Sequence, residues 1–364
     1  MTRPDLPIGS VTGVGSFPGT DVWETVAVIA GEMPDLPILP ELPARGPGAD
    51  MIGRTMSLLT DISSDLAVTT TPTGWRFSGG ARSSATATAE MRRAGSWLGE
   101  DLDALESRFA DYPGRVKVSM TGPWTLAAAV ELTSGERVLR DAGAVAELQG
   151  ALAAAATAYV AAVSRRLPHA RVLLQFDEPG LPAVLAGDIR TQSGFAAYSA
   201  VEAPIAVRAL QAAGAEARSN ADIGFHCCAT QPPLWLLRAA GADFLSVDLL
   251  AKASSRQAQD RADEQFGELF DSDGLLIAGV IDVGGGPTVV GNVNIGTDVG
   301  ATSRTVTDLL GRLGIPMGEL HSQLAVSSTC GLLGSGSLPR ARGVLSHLNL
   351  VGRALRDERV GSSS

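Results

Sequence analysis

The chain has 364 residues, of which 45% are hydrophobic and 19% charged, and its formal net charge is −10. That balance excludes an intrinsically disordered chain, and the acidic excess argues against nucleic acid or an anionic membrane as the main partner, because both require a basic face. Three cysteines, Cys227, Cys228 and Cys330, are an odd count and too few for a disulfide scaffold.

The start of the chain lacks the apolar run of a secretory signal. The longest apolar stretch, residues 151–163, falls short of the ~20 residues that cross a bilayer. A cytoplasmic, reduced protein is expected. Short apolar runs of β type alternate with longer helical patterns. A strand at 11–15 precedes a helix at 22–31, and a weak strand at 37–39 follows. Residues 45–93 are rich in Ser, Thr and Gly, poorly periodic, and read as one long loop. Then come a helix at 102–110, a strand at 116–120, an Ala-rich helix at 141–167 and a strand at 172–176. A helix at 196–213 leads to a strand at 222–226, a helix at 232–240 and a strand at 244–247. The chain continues with a helix at 258–270, a strand at 275–281, a glycine-rich loop at 284–287 and a helix at 302–313. A strand at 324–327 and a helix at 339–356 complete the series.

Strands that alternate with helices imply crossover units and a parallel sheet. Eight such units predict an α/β fold, a single (β/α)8 TIM barrel with elaborated βα loops; an open doubly wound sheet is the rival. Residues 1–360 are expected to form this one barrel, with 45–93 over its mouth and 361–364 as a disordered tail.

Polar residues fall at the strand ends. Gly15-Ser16 follows the first strand, Glu41 the second, Thr121-Gly122-Pro123 the third and Asp177-Glu178-Pro179 the fourth. The fifth ends at His226-Cys227-Cys228, the sixth at Asp248, the seventh at Asp282, and Cys330-Gly331 follows the eighth. In a barrel these ends converge on one face, where catalytic groups gather.

On an extended strand, residues two apart share a side. His226 and Cys228 can therefore reach one ion while Cys227 points away. With Cys330 and Asp248 from other strand ends they make a four-ligand set suited to Zn²⁺. The alternative is packing, with cysteine as a small apolar residue. Asp177 and Glu178 can hold an ammonium group, or can favour a helix N-terminus. Gly15-Ser16 can offer backbone N–H groups to a carboxylate, or make a plain turn. Trp75, Trp97, Trp124 and Trp235 read as packing, with Trp124, beside Thr121-Gly122-Pro123, the best candidate for a ligand platform.

Seven segments in order then form a pattern: Gly15-Ser16-Phe17-Pro18, Thr121-Gly122-Pro123-Trp124-Thr125, Gln175-Phe176-Asp177-Glu178-Pro179, Phe225-His226-Cys227-Cys228, Ser246-Val247-Asp248, Gly279-Val280-Ile281-Asp282 and Ser328-Thr329-Cys330-Gly331-Leu332. With them the chain resembles the catalytic C-terminal barrel of cobalamin-independent methionine synthase. The resemblance implies a zinc-dependent S-methyltransferase that methylates homocysteine to methionine. It implies zinc on His226, Cys228, Asp248 and Cys330, with Asp248 standing where the family usually has Glu. It implies homocysteine held by Val14, Gly15, Ser16, Asp177 and Glu41, with Trp124 on the methyl-donor side. The family's proton-relay His follows its Ile-Asp; here Asp282 is followed by Val283 and Gly284, so Asp282 is the remaining catalytic candidate. The family's folate-side aromatic corresponds to Ala129. The typical enzyme also carries a preceding related barrel, which this chain is expected to lack. The donor is a methylfolate or a methylcorrinoid. The rival functions are a zinc enzyme that methylates another thiol from a corrinoid, and a non-catalytic zinc- or thiol-binding barrel. No nucleic acid or membrane partner is expected.

Overall fold

The computed structural model describes residues 5–79, 85–284 and 298–362. In chain order, β1 (Ser10–Val11) and α1 (Val22–Glu32) lead to α2 (Met51–Ile62), β2 (Val68–Thr71), β3 (Gly74–Phe77) and α3 (Ala85–Phe109). Next come β4 (Arg115–Thr121), α4 (Pro123–Ala129), β5 (Val130–Glu131), α5 (Ala142–Arg166), β6 (Arg171–Asp177) and α6 (Leu181–Ala186). They are followed by α7 (Ala203–Gly214), β7 (Ala221–Cys227), α8 (Leu234–Ala239), β8 (Phe244–Asp248) and α9 (Arg256–Asp271). The series closes with β9 (Leu275–Ile281), α10 (Val299–Leu313), β10 (Leu324–Ser328) and α11 (Leu338–Ser362).

Seven parallel strands form one curled sheet in the order β1-β10-β9-β8-β7-β6-β4. Both edges meet residues 37–41. Ile38 bridges to Lys117 of β4, and Glu41 bridges to Ser16 just beyond β1, both in parallel sense. Four backbone hydrogen bonds carry these bridges: Leu39 N–H to Lys117 O, Lys117 N–H to Pro37 O, Glu41 N–H to Gly15 O and Phe17 N–H to Glu41 O. The expected strand at 37–39 is thus a bridging segment, since Pro37 and Pro40 remove ladder donors.

Alternation along each strand sorts side chains to two faces. On β6, Val172, Leu174 and Phe176 join the main apolar core beneath the helices. Leu173 faces the other way. With Leu6, Leu36, Phe244, Leu275, Ile277 and Ala325 it forms a separate apolar cluster on the inner face. Gln175 and Asp177 lie on that inner face toward the strand's C-terminal end. An apolar floor therefore carries a polar layer, which places the site at the C-terminal ends of the strands.

The helices form where caps and apolar stripes agree. Asp21, Asp50, Asp141, Ser255 and Asp298 each accept a backbone N–H in the first turn of α1, α2, α5, α9 and α10. By length and composition alone α5 could cross a membrane. Here its stripe of Leu148, Leu152, Tyr159, Val160 and Val163 is buried in the core.

Residues 45–93 are not one loop. They contain α2, the β2–β3 hairpin and the start of α3; β3 also pairs in parallel with β5. The periodicity of α2 was hidden because its buried face includes Arg54, Thr55 and Ser57 beside Met56 and Leu59. In α3 the buried stripe alternates Ala87 and Ala94 with Met91 and Leu98 at helical spacing. α11 continues to Ser362; of the tail expected at 361–364, residues 363–364 lie outside the described residues, as do 285–287 of the glycine-rich loop.

Candidate metal and acceptor site

β7 and the residue that follows it bring His226 and Cys228 to one place, and the loop after β10 brings Cys330. Their ligand atoms all lie within 4.8 Å of one another, so together they could hold a metal ion. His226 is buried, with Nδ1 3.0 Å from the Ser246 carbonyl and 3.0 Å from the Ser246 hydroxyl. A carbonyl only accepts, so Nδ1 carries a proton; in the neutral ring Nε2 then holds the lone pair. That Nε2 is buried and has no hydrogen-bond partner. An orphaned imidazole nitrogen facing two thiols, with its other nitrogen held by a backbone carbonyl, fits a metal ligand and its outer support. Soft thiolates with an imidazole suit zinc.

The two thiols interact directly. The Cys228 thiol, followed by His226, holds Cys330 well below the usual thiol range. The same pairing, with burial added, pushes Cys228 up. Cys227 points away, as its place on the strand predicts. It is fully buried in the main core, and burial pushes its thiol up to about 12. The Cys330 loop is seated by a hydrogen bond from Thr329 N–H to Ile281 O and one from the Ser328 hydroxyl to Cys330 O. A register shift between Ser327 and Ser328 lets this loop cross Gly279, where a Cβ would come within 2.8 Å of the Thr329 Cα.

Asp248 does not join the cluster. Its Oδ1 accepts from Leu250 N–H at 2.7 Å, which turns the carboxylate into its own loop. Asp282 is likewise tied locally: it is exposed, and its Oδ1 accepts from Gly284 N–H at 2.9 Å. Asp177 lies in register with His226 on the neighbouring strand. It is buried, and burial pushes its carboxyl up to about 6 against the pull of His226 and Lys117. Gln175 Nε2 donates to its Oδ1 at 2.7 Å.

The Gly15-Ser16 turn borders the same space. A Cβ on Gly15 would stand 3.7 Å from the Glu41 carboxylate and from the Ser119 hydroxyl. A Cβ on Gly331 would overlap the Ser16 hydroxyl, so the Cys330 loop and the Ser16 turn lie against each other. Val14 contributes its carbonyl, which accepts from Lys117 Nζ, Gln175 Nε2 and the Ser119 hydroxyl. Glu41 is buried, and burial pushes its carboxyl up to about 7, opposed by Arg54. Arg54 also holds the Pro40 carbonyl at 2.8 Å, which braces the segment that carries Glu41.

Two candidates have other work. Glu178 is fully buried and caps α4, accepting from Trp124 N–H, Thr125 N–H and the Thr125 hydroxyl at 2.9, 2.8 and 2.7 Å. Trp124 is 2% exposed, and its indole N–H donates to Ala206 O. It is a core residue, with no ring face left for a ligand. Sequence reading missed Lys117, Gln175, Ser119 and Arg54; a lysine and a glutamine inside apolar strand runs were the available signal. A cavity of about 1140 Å³ lies elsewhere, between α8, α9 and α10, and Asp248 lines it.

The model of the cobalamin-independent synthase catalytic domain matches residues 10–337, a span that holds every residue of this site. The chain belongs to that family. It is an S-methyltransferase of the cobalamin-independent type. No curated protein matches it. Among solved structures it is similar to a B12-independent methionine synthase from Shewanella sp. W3-18-1 in complex with selenomethionine, at 15% identity and a TM-score of 0.46, over 72% of this chain and 67% of that one.

Proposed function

We propose that the chain is a cytoplasmic zinc enzyme that transfers a methyl group to the sulfur of homocysteine, giving methionine. The observation that carries this reading is the orphaned His226 Nε2 facing Cys228 and Cys330, beside the buried Asp177. His226, Cys228 and Cys330 would hold the zinc. Three protein ligands leave a place open, as catalytic zinc requires. When bound there, zinc supplies a Lewis acid that lowers the thiol's pKa from about 8.5, so that the acceptor is a thiolate at neutral pH.

The chain's own residues bind and orient the amino-acid end. Asp177 accepts from the α-ammonium, and the Gly15-Ser16 turn donates to the carboxylate. Burial of Asp177 and Glu41 keeps water from competing for these contacts. The methyl group goes to sulfur, the thiol proton leaves, and the donor nitrogen takes a proton as its bond to the methyl breaks. We infer a methylfolate donor, because the family's cobalamin independence weighs against a corrinoid. For the architecture we infer that residues 37–41 are the eighth stave of one (β/α)8 barrel. Their bridges to both edges of the sheet support this.

The test is zinc content and turnover with homocysteine, with methylfolate and methylcobalamin supplied side by side. Zinc near one equivalent and turnover from the folate are expected. Protein that purifies without zinc from zinc-supplemented cells, or turnover from methylcobalamin alone, overturns the reading. Asp248→Asn should keep its zinc; loss of zinc there would place Asp248 among the ligands.

A further inference from the structure

Only two of the 29 basic residues are lysines, and one of them, Lys117, is completely buried. It projects from β4 onto the inner face, opposite Leu173 of the apolar floor. A buried ammonium persists only where it is hydrogen-bonded and faces compensating charge. Nζ donates to the Val14 carbonyl at 2.6 Å and to Gln175 Oε1 at 2.9 Å. An amide has one accepting end and one donating end. With Oε1 taken by Lys117, Gln175 must turn Nε2 toward Asp177, and it donates to Oδ1 at 2.7 Å and to the Val14 carbonyl at 3.1 Å. The carboxylates of Asp177 and Glu41 both favour the charged form of Lys117, against its burial.

We propose that Lys117 is a positioning residue for the amino-acid end of the methyl acceptor. One ammonium orients the Asp177 carboxylate through Gln175 and holds the Val14-Gly15-Ser16 strap through the Val14 carbonyl. The inference rests on the proposed reading of the site as a homocysteine pocket and deepens it. Lys117 acts through the groups that meet the acceptor's ammonium and carboxylate, and it has no part in holding the sulfur. Its contribution is therefore selective for a thiol that carries an amino-acid end.

The test is calorimetric binding of homocysteine and of 1-propanethiol, which has the thiol alone, to zinc-loaded wild type, Lys117→Met and Gln175→Met. Lys117→Met should weaken homocysteine about 10- to 100-fold, the size of a lost hydrogen bond to a charged group, and change propanethiol by less than about threefold. Gln175→Met leaves the ammonium on Val14 and should give a smaller loss with the same selectivity; it carries the test if Lys117→Met does not fold. Equal losses for both thiols, or no loss for either, overturn the proposal while the homocysteine reading stands. Failure of the wild type to bind homocysteine overturns that reading, and this proposal with it.

Discussion

Glu41 stores a measurable amount of free energy. Burial pushes its carboxyl from 4.5 up to about 7, despite the opposing charge of Arg54. A carboxyl whose folded pKa lies above its unfolded value binds its proton more tightly in the native state. Between those two values the native protein holds more protons than the unfolded chain, so stability falls as pH rises through the window. Below pH 4.5 the group is neutral in both states and contributes no penalty. At about 1.36 kcal/mol per pH unit, the ionised carboxylate costs the fold about 3 kcal/mol above pH 7. Glu41→Gln keeps the shape and removes the charge. Relative to wild type, the variant should gain about 3 kcal/mol between acid and mildly alkaline pH, with the gain confined to the window from 4.5 to about 7. Urea unfolding of both proteins across that range, with a chelator present, measures the difference. A difference that does not vary with pH, or one that shrinks as pH rises, would refute the assignment. The gain in stability should come with a loss of homocysteine affinity, because a strained, buried acid at a binding site is maintained for function.

Cys228→Ser and His226→Asn should each lower zinc affinity by more than about tenfold, while Cys227→Ala keeps the zinc and loses about 1–2 kcal/mol of core packing; a metal-release titration with a chromophoric chelator separates the two. Glu178→Gln offers one accepting oxygen where the carboxylate has two, so in either amide orientation its NH₂ group faces a backbone N–H, that of Trp124 or of Thr125. It should destabilise the protein by about 2–4 kcal/mol in denaturant melts and leave zinc content unchanged. Gly331→Ala places a methyl group on the Ser16 hydroxyl. It should raise the KM for homocysteine more than it lowers kcat; an unchanged KM would show that the Cys330 loop and the Ser16 turn do not pack together in solution.

Much of this was legible in one dimension, for identifiable reasons. The strands at 116–120, 172–176, 222–226, 244–247, 275–281 and 324–327 stand within one residue of the observed elements at each end, because buried parallel strands are short apolar runs bounded by turn residues. The partition of the cysteines followed from the two-residue period: His226 and Cys228 turn to one side and Cys227 to the core. Helix α2 was not legible, because the buried polar residues Arg54, Thr55 and Ser57 interrupt its short apolar stripe of Ile52, Met56 and Leu59. Arg54 and Thr55 find their side-chain partners in Asp101 and Thr121, distant in sequence.

The sequence by itself determined the chemical inventory and its ring-like placement at strand ends, because residue type and local period need no knowledge of distant contacts. Only the tertiary structure decided which members meet. It drew Cys330 onto His226 and Cys228 through a register shift over Gly279, and left Asp248 and Asp282 capping their own turns. It committed Glu178 to a helix end and Trp124 to the core. It gave Lys117 a role that its place in an apolar strand only hinted at. Each outcome depends on hydrogen bonds and contacts between segments far apart in the chain, whose geometry is set when the sheet curls and not by any local run of residues.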